Sequence, residues 1–490
     1  MVKPLKILYI IQLAILKNIK SQPILLYINN VNLITMRYFI SQLTATAIVA
    51  ILISHTVMAQ SVQTKVPPKG WNSWDSYGMY PTQEAMLANM EVMAKRLKPF
   101  GYEYFVIDAG WNKVKDAQGK IITMSLDNYG RYIPNKETFP GGIKAVADRA
   151  HALGLKFGIH IMRGISRIAY RKNMPVLGTK YTARDIADTT SLCKWNHDNY
   201  GINMKKPGAQ QYYDSYIALL VSWGIDFIKA DDIAGHPDEI DAVISAIRKT
   251  GKPVVLSLSP GGDSRPEYFQ TYKQANMLRV TRDVWDDQIG IDRVFTAWKQ
   301  WSNIDHDGFW LDMDMIPFGH LCLHNPDKNY LTAKPDPNKH GVKQSEHISF
   351  FNADQKYTFM AMRALSASPL FMGGDLPTSD DFTFELLTNK EMLACNENGV
   401  VGKLVSDHNN IEIWKTPNKN MPQKGWIGIF NRNGEAVTVK LTSTLLGFEG
   451  TAVSLQDVWN DKNLGTVSSS APKEVKINAG GVLFCKYEIK

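Results

Sequence analysis

The stretch WGIDFIKADD, Trp223–Asp232, decides the fold. Its first part is apolar, β-branched and short, the pattern of a buried strand. Its end carries Lys229, Asp231 and Asp232, three ionisable groups within four residues. Charges are not tolerated in an apolar core, so this strand must open onto a wet surface at its C-terminal end. A strand of a closed parallel barrel does so, because it runs through the core and delivers its last residues to the mouth. Lys229 and Asp231 are two apart and share one strand face, whereas Asp232 faces the other way.

The same unit recurs along the chain. Apolar runs end in polar tips at 69–75, 102–111, 155–162, 253–260, 277–286, 309–316 and 368–376, with helix-like stretches at 82–97, 141–153, 209–222 and 239–249. Eight strand–helix units predict an α/β fold, a (β/α)8 TIM barrel over 66–388. A doubly wound open sheet is the competing arrangement, but the glycine-rich phosphate loop that usually follows its first strand is missing. The polar segment 318–349 reads as a long loop at the mouth. From 389 to 490 short alternating runs with Asn, Gly and Asp turns predict a C-terminal antiparallel β-sandwich domain.

The first 59 residues contain five Lys/Arg and no Asp or Glu. Met36–Ala59 has a basic start, a short apolar core and a small-residue end, which predicts an export signal and a periplasmic or extracellular protein. The apolar run is short for the rival reading, a membrane anchor. Residues 1–35 lie upstream of a complete signal. Without 1–59 the net charge falls from +8 to +3, which removes the main support for a nucleic-acid or membrane-surface partner. Cys193, Cys322, Cys395 and Cys485 are far apart in sequence, form no metal or redox motif, and are expected as buried thiols; one disulfide is open to an exported protein.

Other strands end as the fourth does. Trp74 and Asp75 close the first and Asp108 the second, while Arg279, Thr281 and Asp283 are spaced by two on the sixth, as are Asp312 and Asp314 on the seventh. One such aspartate would be a turn former or helix cap. Several on one rim, with two cations and tryptophans, suit a sugar: carboxylates accept hydroxyl hydrogen bonds and indoles give flat apolar walls. Two carboxylates also suit glycoside hydrolysis. Lys229 would keep Asp231 ionised as a nucleophile, and Asp286 and Asp287 would raise the pKa of Asp283 as an acid. On this evidence the two roles are interchangeable.

The motifs PPKGWNSWDSYG, FVIDAGW, GLKFGIH, WGIDFIKADD, LRVTRDVWDD and SASPLFMGGDL, in that order, resemble glycoside hydrolase family 27, the retaining α-galactosidase and α-N-acetylgalactosaminidase family. The resemblance runs from about Pro67 to the C-terminus. It implies Asp231 as nucleophile, Asp283 as acid/base, and Trp74, Asp108, Lys229 and Arg279 as sugar contacts. It implies an oligo- or polysaccharide substrate and no cofactor. Three departures stand out. The family's second strand commonly ends in paired aspartates, and here Asp108 is followed by Ala109. Ser259 stands where galactosidases usually present a glutamate near the sugar's 2-position. No cysteine follows Asp231 or Asp232.

Three other functions compete. A divalent-metal barrel enzyme would use the aspartates, but Lys229 and Arg279 would repel the ion. A Schiff-base lysine needs a lowered pKa, which Asp231 opposes. A carbohydrate-binding protein without turnover would not need both Asp231 and Asp283.

Overall fold

The computed structural model describes residues 64–304, 308–336 and 338–490. The expected export signal and the segment before it lie outside the described residues. Among the described residues no helix is long and apolar enough to cross a membrane.

Eight parallel strands form one curled sheet: β1 Lys69–Asn72, β2 Tyr104–Ile107, β3 Lys156–Met162, β4 Phe227–Asp231, β5 Val255–Leu258, β6 Met277–Arg279, β7 Trp310–Asp312 and β8 Leu370–Met372. They pair in chain order, β8 returns to β1, and a bridge between Ile316 and Met372 joins the β7 side to β8. The sheet thereby closes as a (β/α)8 barrel. The helices that alternate with the strands are α1 Gln83–Arg96, α2 Gly142–Ala152, α3 Ala209–Ser222, α4 Pro237–Thr250, the short α5 Phe269–Tyr272, α6 Gln288–Trp301, α7 Ala353–Leu365 and α8 Asp381–Thr388. Local signals set their ends. Thr82 caps α1 by accepting from the Ala85 amide at 3.3 Å. α4 begins at Pro237 and stops at Gly251 in the left-handed region.

Register stacks the barrel interior in layers. Val106, Gly158, Phe227 and Val255 stand side by side on β2 to β5. Two residues further, His160, Lys229 and Ser257 do the same. Apolar side chains therefore fill the lower layer and polar ones the upper, as period-two alternation dictates. The rings of Tyr104, Phe227 and Phe371 plug the lower layer, with centroids 5.4 Å apart from Tyr104 to Phe227 and again from Phe227 to Phe371. Gly158 is required there, since a Cβ would lie 2.9 Å from Val106 Cγ2 and 3.0 Å from Phe227 Cβ.

Three sequence expectations are corrected. β6 ends at Arg279, so Thr281 and Asp283 stand on the following loop and not on a strand face. β7 ends at Asp312, and Asp314 has φ of 79°. Turns, not strand alternation, aim these acids. The segment after β7 is not all loop, since His320–Leu321 pairs with His347–Ile348.

The helix Lys390–Glu397 sends Met392, Leu393 and Cys395 into the barrel's core. Antiparallel strands follow: β9 Lys403–His408, β10 Ile411–Pro417, β11 Lys424–Asn431, β12 Val437–Leu441, β13 Val453–Asp457, β14 Asn463–Val467, β15 Lys473–Ile477 and β16 Val482–Ile489. They build a six-stranded sheet, β9-β10-β11-β16-β13-β14, and the pair β12-β15, with Ile413, Ile427, Leu441, Leu455 and Val467 in a core of their own. One face of this sandwich packs on the barrel. Trp298 of α6 stacks on Trp414 at 3.7 Å, and Trp459 meets Tyr357 of α7 at 5.2 Å. Trp459 thus belongs to the junction and not to the sandwich interior, and buried Trp426 joins the barrel's core cluster. All four cysteines are buried free thiols.

Candidate active site

The three charges that end β4 have three separate partners. Lys229 reaches across to β2, where its Nζ donates to Asp108 Oδ2 at 2.8 Å. Asp231 accepts from the Asp232 amide at 3.0 Å and lies 3.3 Å from His160 Nε2. Asp232, with φ of 58°, turns outward, and Arg163 grips it at 2.8 Å. Arg163 also pairs with Glu239 of α4 at 2.6 Å.

Burial alone would raise the Asp231 pKa, but the His160 hydrogen bond and the charges of Lys229 and Arg279 hold its carboxyl far below the usual carboxylate range. Burial opposes the charge on Lys229 as well, yet Asp108 and Asp231 hold its ammonium above the ordinary lysine range. Asp108 is itself lowered: Lys229 outweighs the burial that would raise it. Asn72 completes the Asp108 environment by donating to Oδ2 at 2.8 Å. Ser73 fixes the backbone there, its Oγ accepting from the Asp108 amide at 2.9 Å.

On the opposite side Arg279 is the hub. It donates to Asp283 Oδ1 at 2.9 Å and Asp314 Oδ1 at 3.3 Å. Burial disfavours its charge, but Asp314, Asp283 and Asp231 together hold it above the usual arginine range. Arg279 therefore couples to both carboxylates expected to do chemistry. The Asp283 side chain is 63% exposed, against 14% for Asp231. Asp286 and Asp287 do not serve it as expected. Asp286 accepts from the Phe350 amide at 2.7 Å and pairs with His347, while Asp287 caps α6 by accepting from the Gly290 amide at 2.8 Å.

Lys229, Ser259, Arg279, Asp312 and Asp314 line one cavity, floored by Phe227, Met277 and Phe371. Ser259 Oγ is buried and has no hydrogen-bond partner among the described residues. Trp74 is half-buried; it packs on the apolar floor and against Trp285 and Cys322. Burial, with Asp314 as neighbour, pushes Asp312 up to about 6. Burial likewise raises Asp75, whose Oδ2 has no hydrogen-bond partner and sits where a side chain at Gly373 would fall. Among the described residues no group of His, Cys, Asp and Glu is arranged to hold a metal ion.

The structure brings Asp231, Asp108, Lys229, Ser259 and Arg279 to one mouth and attaches Asp283 to it through Arg279. Sequence reasoning passed over Asn72, whose signal was its place two residues before Trp74. The three-residue strand ends gave no hint that Asp314 would hold both Arg279 and the Val284 amide, the latter at 2.8 Å.

Comparison with known proteins agrees with the barrel-and-sandwich fold. A family model described as Melibiase matches residues 40–234. The structure of a family 27 β-L-arabinopyranosidase from Geobacillus stearothermophilus superposes with a TM-score of 0.79 at 35% identity, covering 88% of this chain and 98% of that one. An α-galactosidase from Cyamopsis tetragonoloba is 24% identical over 430 residues, 86% of each chain. An α-N-acetylgalactosaminidase from Gallus gallus is 24% identical over 454 residues, covering 86% of this chain and 92% of that one.

Proposed function

Because the chain belongs to glycoside hydrolase family 27, we propose that it is an exported, retaining exo-glycosidase that removes terminal α-galactosyl-type residues from oligo- or polysaccharides. One observation carries the reading. Asp231 is largely buried, its side chain 14% exposed, yet His160, Lys229 and Arg279 keep it ionised, while Arg279 also reaches Asp283. A buried carboxylate held as an anion is suited to attack; an exposed one is suited to exchange protons with water.

In the first step an Asp231 oxygen bonds to the anomeric carbon as the glycosidic bond breaks, and Asp283 gives its proton to the leaving oxygen. In the second, Asp283 takes a proton from water, the water oxygen bonds to the anomeric carbon, and Asp231 leaves as carboxylate. Two inversions retain configuration. Lys229, Asp108 and Arg279 hold the sugar and the charge, Trp74 supplies an apolar wall, and Ser259 Oγ is free to meet the 2-position. Proton NMR of the first product from an aryl α-galactoside should show the starting anomer; the opposite anomer would refute the assignment of Asp231. Export rests on the Met36–Ala59 pattern and predicts a mature chain that begins at Gln60, which N-terminal sequencing would read.

A second glycone is favoured by one residue. The family resemblance implies that paired aspartates after the second strand grip the sugar's 4- and 6-hydroxyls; Ala109 offers no carboxylate beside Asp108, so a sugar without its C6 hydroxymethyl loses no partner there. β-L-arabinopyranosides are such sugars, and the 35% identical relative is named for acting on them. The ratio of kcat/KM for 4-nitrophenyl β-L-arabinopyranoside and α-galactoside decides between the two. A strict α-galactosidase, with the pentoside excluded by more than about a thousandfold (~4 kcal/mol), would rule out this second reading.

A further inference from the structure

The chain has twelve tryptophans, and Trp195 alone is more than half exposed, at 54%. No ring contact or hydrogen bond meets its indole among the described residues. An unsupported indole in water does nothing for stability, since its apolar area stays wet. The loop that carries it, by contrast, is anchored at both ends. Trp195 stands in the loop 193–198 between two paired strands, Ala187–Leu192 and Asn199–Ile202, in the connection from β3 to α3 on the mouth side of the barrel. Cys193 is buried, with its thiol close to the Trp195 and Asn196 amides and to the carboxylate of Asp232, the residue after Asp231. At the loop's far end Asn199 donates to the Arg163 carbonyl at 2.7 Å, and Lys113 pairs with Asp198. Asn196, next to the indole, lines a cleft together with Ala109, His160 and Met162. Trp195 therefore rises from a pinned loop, with one neighbour against the end of β4 and the other in a cleft beside the proposed sugar pocket.

We infer that Trp195 is a stacking platform for the saccharide unit beyond the glycone, so that the enzyme is built for oligo- or polysaccharide substrates rather than small aglycones. This rests on the glycosidase reading of the mouth. A flat indole fixed at a rim matches the apolar C–H face of a pyranose. Pre-fixing the loop means that little further ordering is needed on binding.

The test compares two leaving groups on the glycone that the wild-type protein prefers. One is fluoride, which cannot reach a platform; the other is an oligosaccharide. Trp195→Ala should lower kcat/KM for the oligosaccharide about thirtyfold, or about 2 kcal/mol, chiefly through KM. The glycosyl fluoride should change less than about twofold. Trp195→Phe keeps a flat ring and should recover most of the loss. Equal losses on both substrates would show a structural role, and no loss on either would leave nothing for the indole to bind; each overturns the platform alone. A wild-type protein inactive on both substrates would sink the site reading, and the platform with it.

Discussion

The ends of β4 and β6 carry the two carboxylates to which chemistry is assigned, and they are built in opposite ways. Asp231 is the last residue of its strand, largely buried, with His160, Lys229 and Arg279 around it. Asp283 lies four residues beyond its strand, exposed, with one side-chain bond to Arg279. The first arrangement fixes a charge; the second leaves a carboxyl in exchange with solvent. A nucleophile must be ionised in every cycle, whereas an acid/base must change its protonation twice, and the backbone already separates those demands.

Removing the fixed charge is the most severe way to break this contrast. Asp231→Asn should lower turnover by roughly five orders of magnitude on every substrate, good leaving groups included, because no nucleophile remains. Single-turnover assays with an activated aryl glycoside would reveal it, and an active variant would end the assignment.

Asp283→Ala should be milder and selective. Substrates with a poor leaving group should lose about 10²–10⁴-fold, while activated aryl glycosides should keep a near-normal first step. Azide needs no general base and should restore turnover, yielding a glycosyl azide of the starting configuration. Azide product of inverted configuration would contradict a retaining site.

His160→Ala sharpens the comparison through pH. The depressed Asp231 pKa means that an acid limb set by protonation of the nucleophile lies well below pH 4 in the wild type. Without the His160 hydrogen bond the Asp231 pKa should climb towards the ordinary value of about 3.9, and the acid limb of kcat/KM should move to higher pH. At pH 6 the loss should be about tenfold. An unmoved limb would mean that Lys229 and Arg279 hold the charge without help.

The smallest effect concerns stability. Asp312 is pushed up to about 6, above the unfolded carboxylate value. Between pH 4 and 6 the folded chain therefore binds the extra proton, and stability falls as pH rises through that window. From pH 7.5 to 5 this group should return about 1–2 kcal/mol, and Asp312→Asn should remove that gain. Thermal unfolding midpoints at the two pH values measure it; an identical pH response in both proteins would place the proton on Asp75 instead.

Much of the barrel was legible because a strand that crosses a core must be apolar and short, and its polar tip must be wet. WGIDFIKADD shows both, and α3 runs over the expected Ala209–Ser222. The shortest strands misled: β6 and β7 have three residues each, too few for alternation to reveal where backbone turns begin. The sandwich strands were visible through their period of two, but nothing local told that Trp459 would lie against Tyr357 of α7.

The sequence by itself determined which residues end up at the mouth, since a residue's face follows from its place along a strand, and it put Lys229 and Asp231 on one face and Asp232 on the other. Only the tertiary structure decided their partners: Asp108 for Lys229, His160 for Asp231 and Arg163 for Asp232 lie 121, 71 and 69 positions away. Periodicity is a property of a few consecutive residues, whereas an ion pair across a barrel depends on how whole strands are staggered, and that is fixed only when the sheet closes.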